Sequence, residues 1–69
     1  MREIFVKRFA EALEKSGMTQ KQLAAKISVS EQAVSDYKKG DIVPSLDTFY
    51  LICSALDVSA DFLLGFSEI

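Results

Sequence analysis

Two clusters of hydrogen-bonding side chains stand out within residues 18–40. The first is Thr19-Gln20-Lys21; the second is Ser30-Glu31-Gln32, followed by Ser35-Asp36 and Lys38-Lys39. A carboxamide offers a donor and an acceptor side by side, a hydroxyl offers either, and a lysine adds charge on a flexible stem. That repertoire suits recognition of a polar, anionic surface. It does not suit bond-making. The chain has no histidine, its single cysteine is Cys53, and it has no phosphate-binding glycine loop. A bundle of this size is expected to have no deep pocket either. No enzymatic activity and no metal or other cofactor are expected.

The spacing of the clusters defines the elements that must carry them. Thr19 and Ser30 are helix-start residues eleven positions apart. That leaves room for about two turns of helix, a three-residue turn and a second helix. Helices joined so tightly cross steeply, which lets the second project into a DNA major groove. The start signal itself recurs. A hydroxyl residue follows one apolar residue, and a second apolar residue comes five positions after the first. The sets are Met18-Thr19…Leu23, Val29-Ser30…Val34, Pro44-Ser45…Phe49 and Val58-Ser59…Leu63. Each is an N-cap with a hydrophobic staple, and Thr19 adds a capping box with Gln22.

Before these comes a helix over roughly residues 2–16, with Phe5, Phe9, Ala12 and Leu13 on one face and Ser16-Gly17 at its end. The chain therefore reads as all-α, a compact five-helix bundle forming a single domain over 1–69. The predicted core continues with Leu23, Ala24, Ile27, Val34 and Tyr37. It ends with Leu46, Phe49, Ile52, Cys53 and Leu56 from the fourth helix and Phe62 and Leu63 from the fifth. Cys53 falls on this apolar stripe and reads as a small buried hydrophobe.

Composition sets the remaining bounds. The 69 residues, 49% apolar, carry a net charge of −2, which is unpromising for a nucleic-acid binder until its distribution is considered. All eight bases lie in residues 1–39 with five acids, a net +3; residues 40–69 hold five acids and no base. One half can face phosphate while the other faces away, although an ordinary mixed surface would show the same counts. The lone thiol fits a reducing compartment. Met1 to Gly17 is broken by charges like no signal peptide, and no stretch is long and apolar enough to span a membrane. A cytoplasmic location is expected.

In its helix order and in residues 18–40, the chain resembles the lambda-repressor-like, XRE-type helix-turn-helix family from about Phe5 to Gly65. The resemblance is carried by Gly17-Met18-Thr19-Gln20, Leu23-Ala24, Val29-Ser30, Val34-Ser35, Tyr37, Gly40, Pro44-Ser45-Leu46, Ala55-Leu56 and Val58-Ser59…Phe62-Leu63-Leu64-Gly65. The Leu-Leu-Gly ending also resembles repressors of phages and integrated elements.

The resemblance implies that the second helix lies across the DNA backbone with its N-terminal amides at a phosphate, where Thr19 caps it, Gln20 makes a backbone contact and Lys21 adds charge. It implies that the third helix enters the major groove. Opposite Val34, at about 100° per residue, that helix carries Gln32, Asp36 and Lys39, flanked by Ser35 and Glu31. Gln32 is the candidate base reader, because its amide matches adenine N6 and N7. Ser30 or Ser35 would bond a phosphate or base edge. Lys38 and Lys39, with backbone amides near Gly40 and Ser45, would hold the far phosphates. All of these residues also have an ordinary role as caps or exposed helix positions.

Three departures from the family pattern bear on this reading. Leu13 and Lys38 occupy positions where many relatives place an arginine and a glutamate. Their joint loss strands no buried charge, so Leu13 should join the core and Lys38 should turn outward. Ser28 and Asp57 replace glycines after the second and fourth helices, so the turn at Ser28 should be mildly strained. Glu31 and Asp36 put carboxylates on the reading face, where they accept from cytosine N4 but repel phosphate. That chemistry favours selectivity over grip.

The function implied is a sequence-specific double-stranded-DNA-binding transcriptional regulator of repressor type, acting as a homodimer on a pseudo-palindromic operator. Phe62, Leu64, Phe66 and Ile69, in the acidic half, are the candidate dimer surface. The competing reading is a protein-interaction module, such as an antitoxin or the target of an anti-repressor, with a regulatory protein as its partner.

Overall fold

The computed structural model describes residues 1–69 as five helices: α1 (Arg2–Ser16), α2 (Gln20–Ile27), α3 (Glu31–Lys39), α4 (Leu46–Leu56) and α5 (Ala60–Leu64). Their beginnings follow from local chemistry. Thr19, Ser30, Ser45 and Ser59 each sit in extended backbone and accept, through the side-chain oxygen, an amide three residues on. Gln22 Oε1 also accepts from the Thr19 amide at 2.9 Å, which completes the capping box. Each cap satisfies an amide that the helix cannot pair internally.

The ends are equally local. Residues Ser28, Gly40, Asp57 and Gly65 close α2 to α5 in the left-handed region. After each, the next amide reaches back five residues: Val29 to Ala24, Asp41 to Asp36, Val58 to Cys53 and Phe66 to Asp61. Ser28 adopts φ 61° and Asp57 φ 55°. A Cβ is crowded there, so the strain expected at Ser28 is present. Gly40 has a further constraint: a Cβ on it would lie 3.1 Å from Val6 Cγ2, where α3 ends against α1.

The core joins all five helices. Phe9, Leu23, Val34, Ile52 and Leu63 are fully buried, one from each helix. The Phe5 and Phe9 rings stack at 5.4 Å, and Tyr37 meets Phe9 edge-on at 6.2 Å. That pair fixes α3 to α1 and commits the Val34–Tyr37 face of α3 inward. Leu13 is buried and Lys38 exposed, as the joint departure implied. Met18, Val29 and Val58, three of the four residues that open the staples, pack against this core.

Leu46 departs from the expected core. It is 82% exposed. At about 100° per residue it lies about 120° round from Ile52, off the stripe formed by Ile52 and Leu56. Phe49, Cys53 and Phe62 pack against the core without being fully enclosed. No helix is long and apolar enough to cross a membrane.

Candidate nucleic-acid interface

The start of α2 combines a cap, uncommitted amides and a cation. Thr19 Oγ1 accepts from Gln22 and the Thr19 carbonyl from Leu23, so the amides of Gln20 and Lys21 remain unpaired at the positive end of the helix. Such amides, with the helix dipole, attract an anion. Lys21 is exposed and Gln20 half-buried. The capping box holds Gln22, not Gln20, leaving the Gln20 amide free of intramolecular bonds.

The start of α3 repeats the device. Ser30 Oγ accepts from Ala33 at 3.0 Å, while the amides of Glu31 and Gln32 have no partner. Because Val34 and Tyr37 face inward, Glu31, Gln32, Lys38 and Lys39 are exposed, with Ser35 and Asp36 half-buried beside them. Gln32 and Lys39 are exposed on the side that helical periodicity puts opposite Val34, whereas Asp36 on that side is half-buried and Lys38 is exposed although it lies near Val34 on the helix. One contact was not legible beforehand: Gln32 Nε2 donates to Asp36 Oδ1 at 3.0 Å, one helical turn on. Spacing of four residues permits such a pair but does not require it.

At the far end of α3 some of the backbone amides are already committed. The Gly40 amide donates to Tyr37 O and the Asp41 amide to Asp36 O, so neither is available to a phosphate. Ser45 Oγ donates to Thr48 Oγ1 and accepts from its amide, whereas the amides of Leu46 and Asp47 at the start of α4 have no partner. The cations remain. Lys38 is free, and Lys39 lies 3.9 Å from Asp41 with both side chains more than half exposed, an arrangement that water and salt screen strongly.

Two arginines missed by the motif reading have structural partners. Arg2 Nη1 donates to Gly40 O at 3.2 Å and so ties α1 to the end of α3. Arg8 stacks over the Phe62 ring at 4.5 Å and donates to the carbonyls of Phe62 and Ser67. The cationic half thus supplies fewer free charges than its count implies: Arg8 is turned toward the acidic half, with Glu68 at 3.9 Å. These partners lie 38 to 59 residues away in sequence; no local signal marks them.

The four candidate dimer residues are divided between two grooves and open surface. Leu64 lines an apolar groove of about 230 Å³ with Met1, Val43, Pro44, Leu46 and Phe49. Phe62 and Ile69 line a different, more polar cleft with Glu11, Lys15 and Val58. Phe66 is 81% exposed. Ile69 is exposed as well, and its backbone carbonyl accepts from Ser59 Oγ.

Two tightly joined helices, the second with its polar face outward, define a helix-turn-helix. A family model for that motif, described as "Helix-turn-helix", matches residues 9–63, and the chain belongs to this family. It is also similar to the HTH-type transcriptional regulator ImmR of Bacillus subtilis (strain 168), with 36% identity over 63 residues, covering 91% of this chain and 50% of that protein. The chain thus spans about half the length of the curated relative it matches.

Proposed function

We propose that this chain is a sequence-specific double-stranded-DNA-binding transcriptional regulator, a repressor acting inside the cell by occupying a promoter. Residues 1–69 would form one DNA-binding unit. The observation that carries the reading is the exposed face of α3: Gln32 projects beside two unpaired helix-start amides, with Lys38 and Lys39 at the other end. In this reading α3 enters the major groove, Gln32 reads a base edge, and Ser30, Glu31, Ser35 and Asp36 border it. The start of α2, with Thr19, Gln20 and Lys21, lies on the backbone. ImmR, by its name a transcriptional regulator, supports the role.

A single short helix contacts few base pairs, so a homodimer on a two-fold operator is part of the proposal. Seven of the nine exposed large hydrophobics fall in the acidic half: Ile42, Val43, Leu46, Tyr50, Leu51, Phe66 and Ile69. Exposed apolar area of this kind favours a protein contact there. The molecule measures 28 × 22 × 20 Å, a size that supports two copies side by side on half-sites about 34 Å apart, one turn of DNA.

The test is titration of random-sequence duplex at several salt concentrations, followed by selection from randomised duplex. Log affinity should fall linearly with log salt, and selection should return a pseudo-palindrome. Absence of binding at low salt would remove the DNA-binding role and leave a protein-interaction module.

A further inference from the structure

The Gln32–Asp36 pair on α3 gives the carboxylate a second role. Asp36 is half-buried, Gln32 is exposed one turn earlier, and Gln32 Nε2 donates to Asp36 Oδ1 at 3.0 Å. On a face proposed to meet phosphate, a carboxylate lowers affinity, so repulsion alone gives no reason for its pairing with the candidate base reader.

The chemistry of the two groups supplies one. A free glutamine amide is two-faced: turned one way it presents its carbonyl oxygen beside an N–H, turned the other it presents mainly donors. The first arrangement matches adenine, which offers the N6 donor and N7 acceptor; the second suits guanine, which offers O6 and N7, both acceptors. An ionised carboxylate only accepts. It therefore bonds the NH₂ side of Gln32 and repels Oε1, and being charged it forms the stronger class of hydrogen bond. The amide has two N–H groups. If the one remote from Oε1 goes to Asp36, the other remains next to Oε1 as a donor–acceptor edge.

We propose that Asp36 is a positioning residue that holds the Gln32 amide in the adenine-reading orientation, so that the helix selects adenine over guanine at one base pair. The proposal rests on the DNA-reading role of α3. Guanine at that position would place O6 against Oε1, acceptor against acceptor, and rotating the amide to relieve it would break the bond to Asp36.

The experiment uses the selected operator and a copy in which one A·T pair is changed to G·C, at the position where Q32A loses its preference. Competition titrations with both duplexes should give the wild-type protein an adenine preference of roughly ten- to a hundredfold. Asp36→Ala should raise affinity for both duplexes, because a charge near phosphate is gone, yet reduce the preference to within about threefold. Asp36→Glu, also acceptor-only and within reach across one turn, should restore most of the preference. Equal gains on both duplexes in Asp36→Ala, with the preference intact, would mean that Asp36 only repels and would overturn the proposal. A wild-type protein that binds duplex without base preference would instead overturn the reading role itself. The selection experiment exposes that outcome before any Asp36 variant is made.

Discussion

At the residue scale, the proposed reading gives the two ends of α3 separable tasks. Gln32→Ala removes an exposed side chain whose only intramolecular bond is to Asp36. It should abolish discrimination at particular base pairs while leaving the circular dichroism spectrum and melting temperature nearly unchanged. Unaltered operator selectivity would show that the wrong face of α3 had been assigned to the bases. Lys39 pairs only with an exposed Asp41, a contact too screened to hold it from phosphate. Lys39→Ala should therefore weaken binding to every sequence and lower the salt slope by about one. Cys53 belongs to the structure instead. Burial pushes its thiol up from the ordinary value, with a backbone hydrogen bond opposing. At any pH below that raised value the thiolate fraction is smaller than in a free thiol. Alkylation of the folded protein should accordingly run slower than that of a free cysteine at the same pH.

At the element scale, caps and turns set where each helix begins and stops. Ser30 Oγ accepts the Ala33 amide at the start of α3, and Ser30→Ala should cost about 1 kcal/mol in denaturant unfolding. The same change removes a hydroxyl from the proposed interface, so in that reading binding should fall with stability. Ser28 behaves oppositely. It is exposed and held at φ 61° at the turn between α2 and α3. Ser28→Gly relieves the crowded Cβ but adds freedom to the unfolded chain, for a net gain of about 0.5 kcal/mol. In a domain of this size that corresponds to a rise in melting temperature of about 2–4 °C. A fall would mean that the serine side chain supports the turn.

At the scale of the whole molecule, Arg8 couples the first helix to the last. Its guanidinium covers Phe62 and bonds the carbonyls of Phe62 and Ser67, whereas Glu68 is 95% exposed and adds little. Arg8→Met keeps much of the apolar stem and loses the donors. It should cost about 1–3 kcal/mol and speed amide hydrogen exchange from residue 60 onward, with no change in base preference. The proposed dimer has its own test at this scale. Inserting half a helical turn of DNA between operator half-sites rotates them to opposite faces and should abolish cooperative binding. Survival of that cooperativity would remove the side-by-side arrangement.

Much of this protein was legible in sequence because its governing interactions are short-range. The caps at Thr19, Ser30, Ser45 and Ser59 act within three residues, and the turn bonds within five. Helix order and the outward face of α3 follow from them and from the buried Val34 and Tyr37. Other features depended on tertiary structure. In α4, apolar residues surround much of the helix, so periodicity does not single out Leu46 for exposure; packing on α2 and α1 does. Arg2 and Arg8 read as surface charge until their partners, 38 to 59 residues away, come into contact. Leu64 and Ile69 lie five positions apart in sequence, yet the fold sends them to different grooves. The pairing of Gln32 with Asp36 lies between these cases. Spacing allows it, but only the side-chain conformations of the folded helix select it, because two exposed polar groups can equally well bond to water.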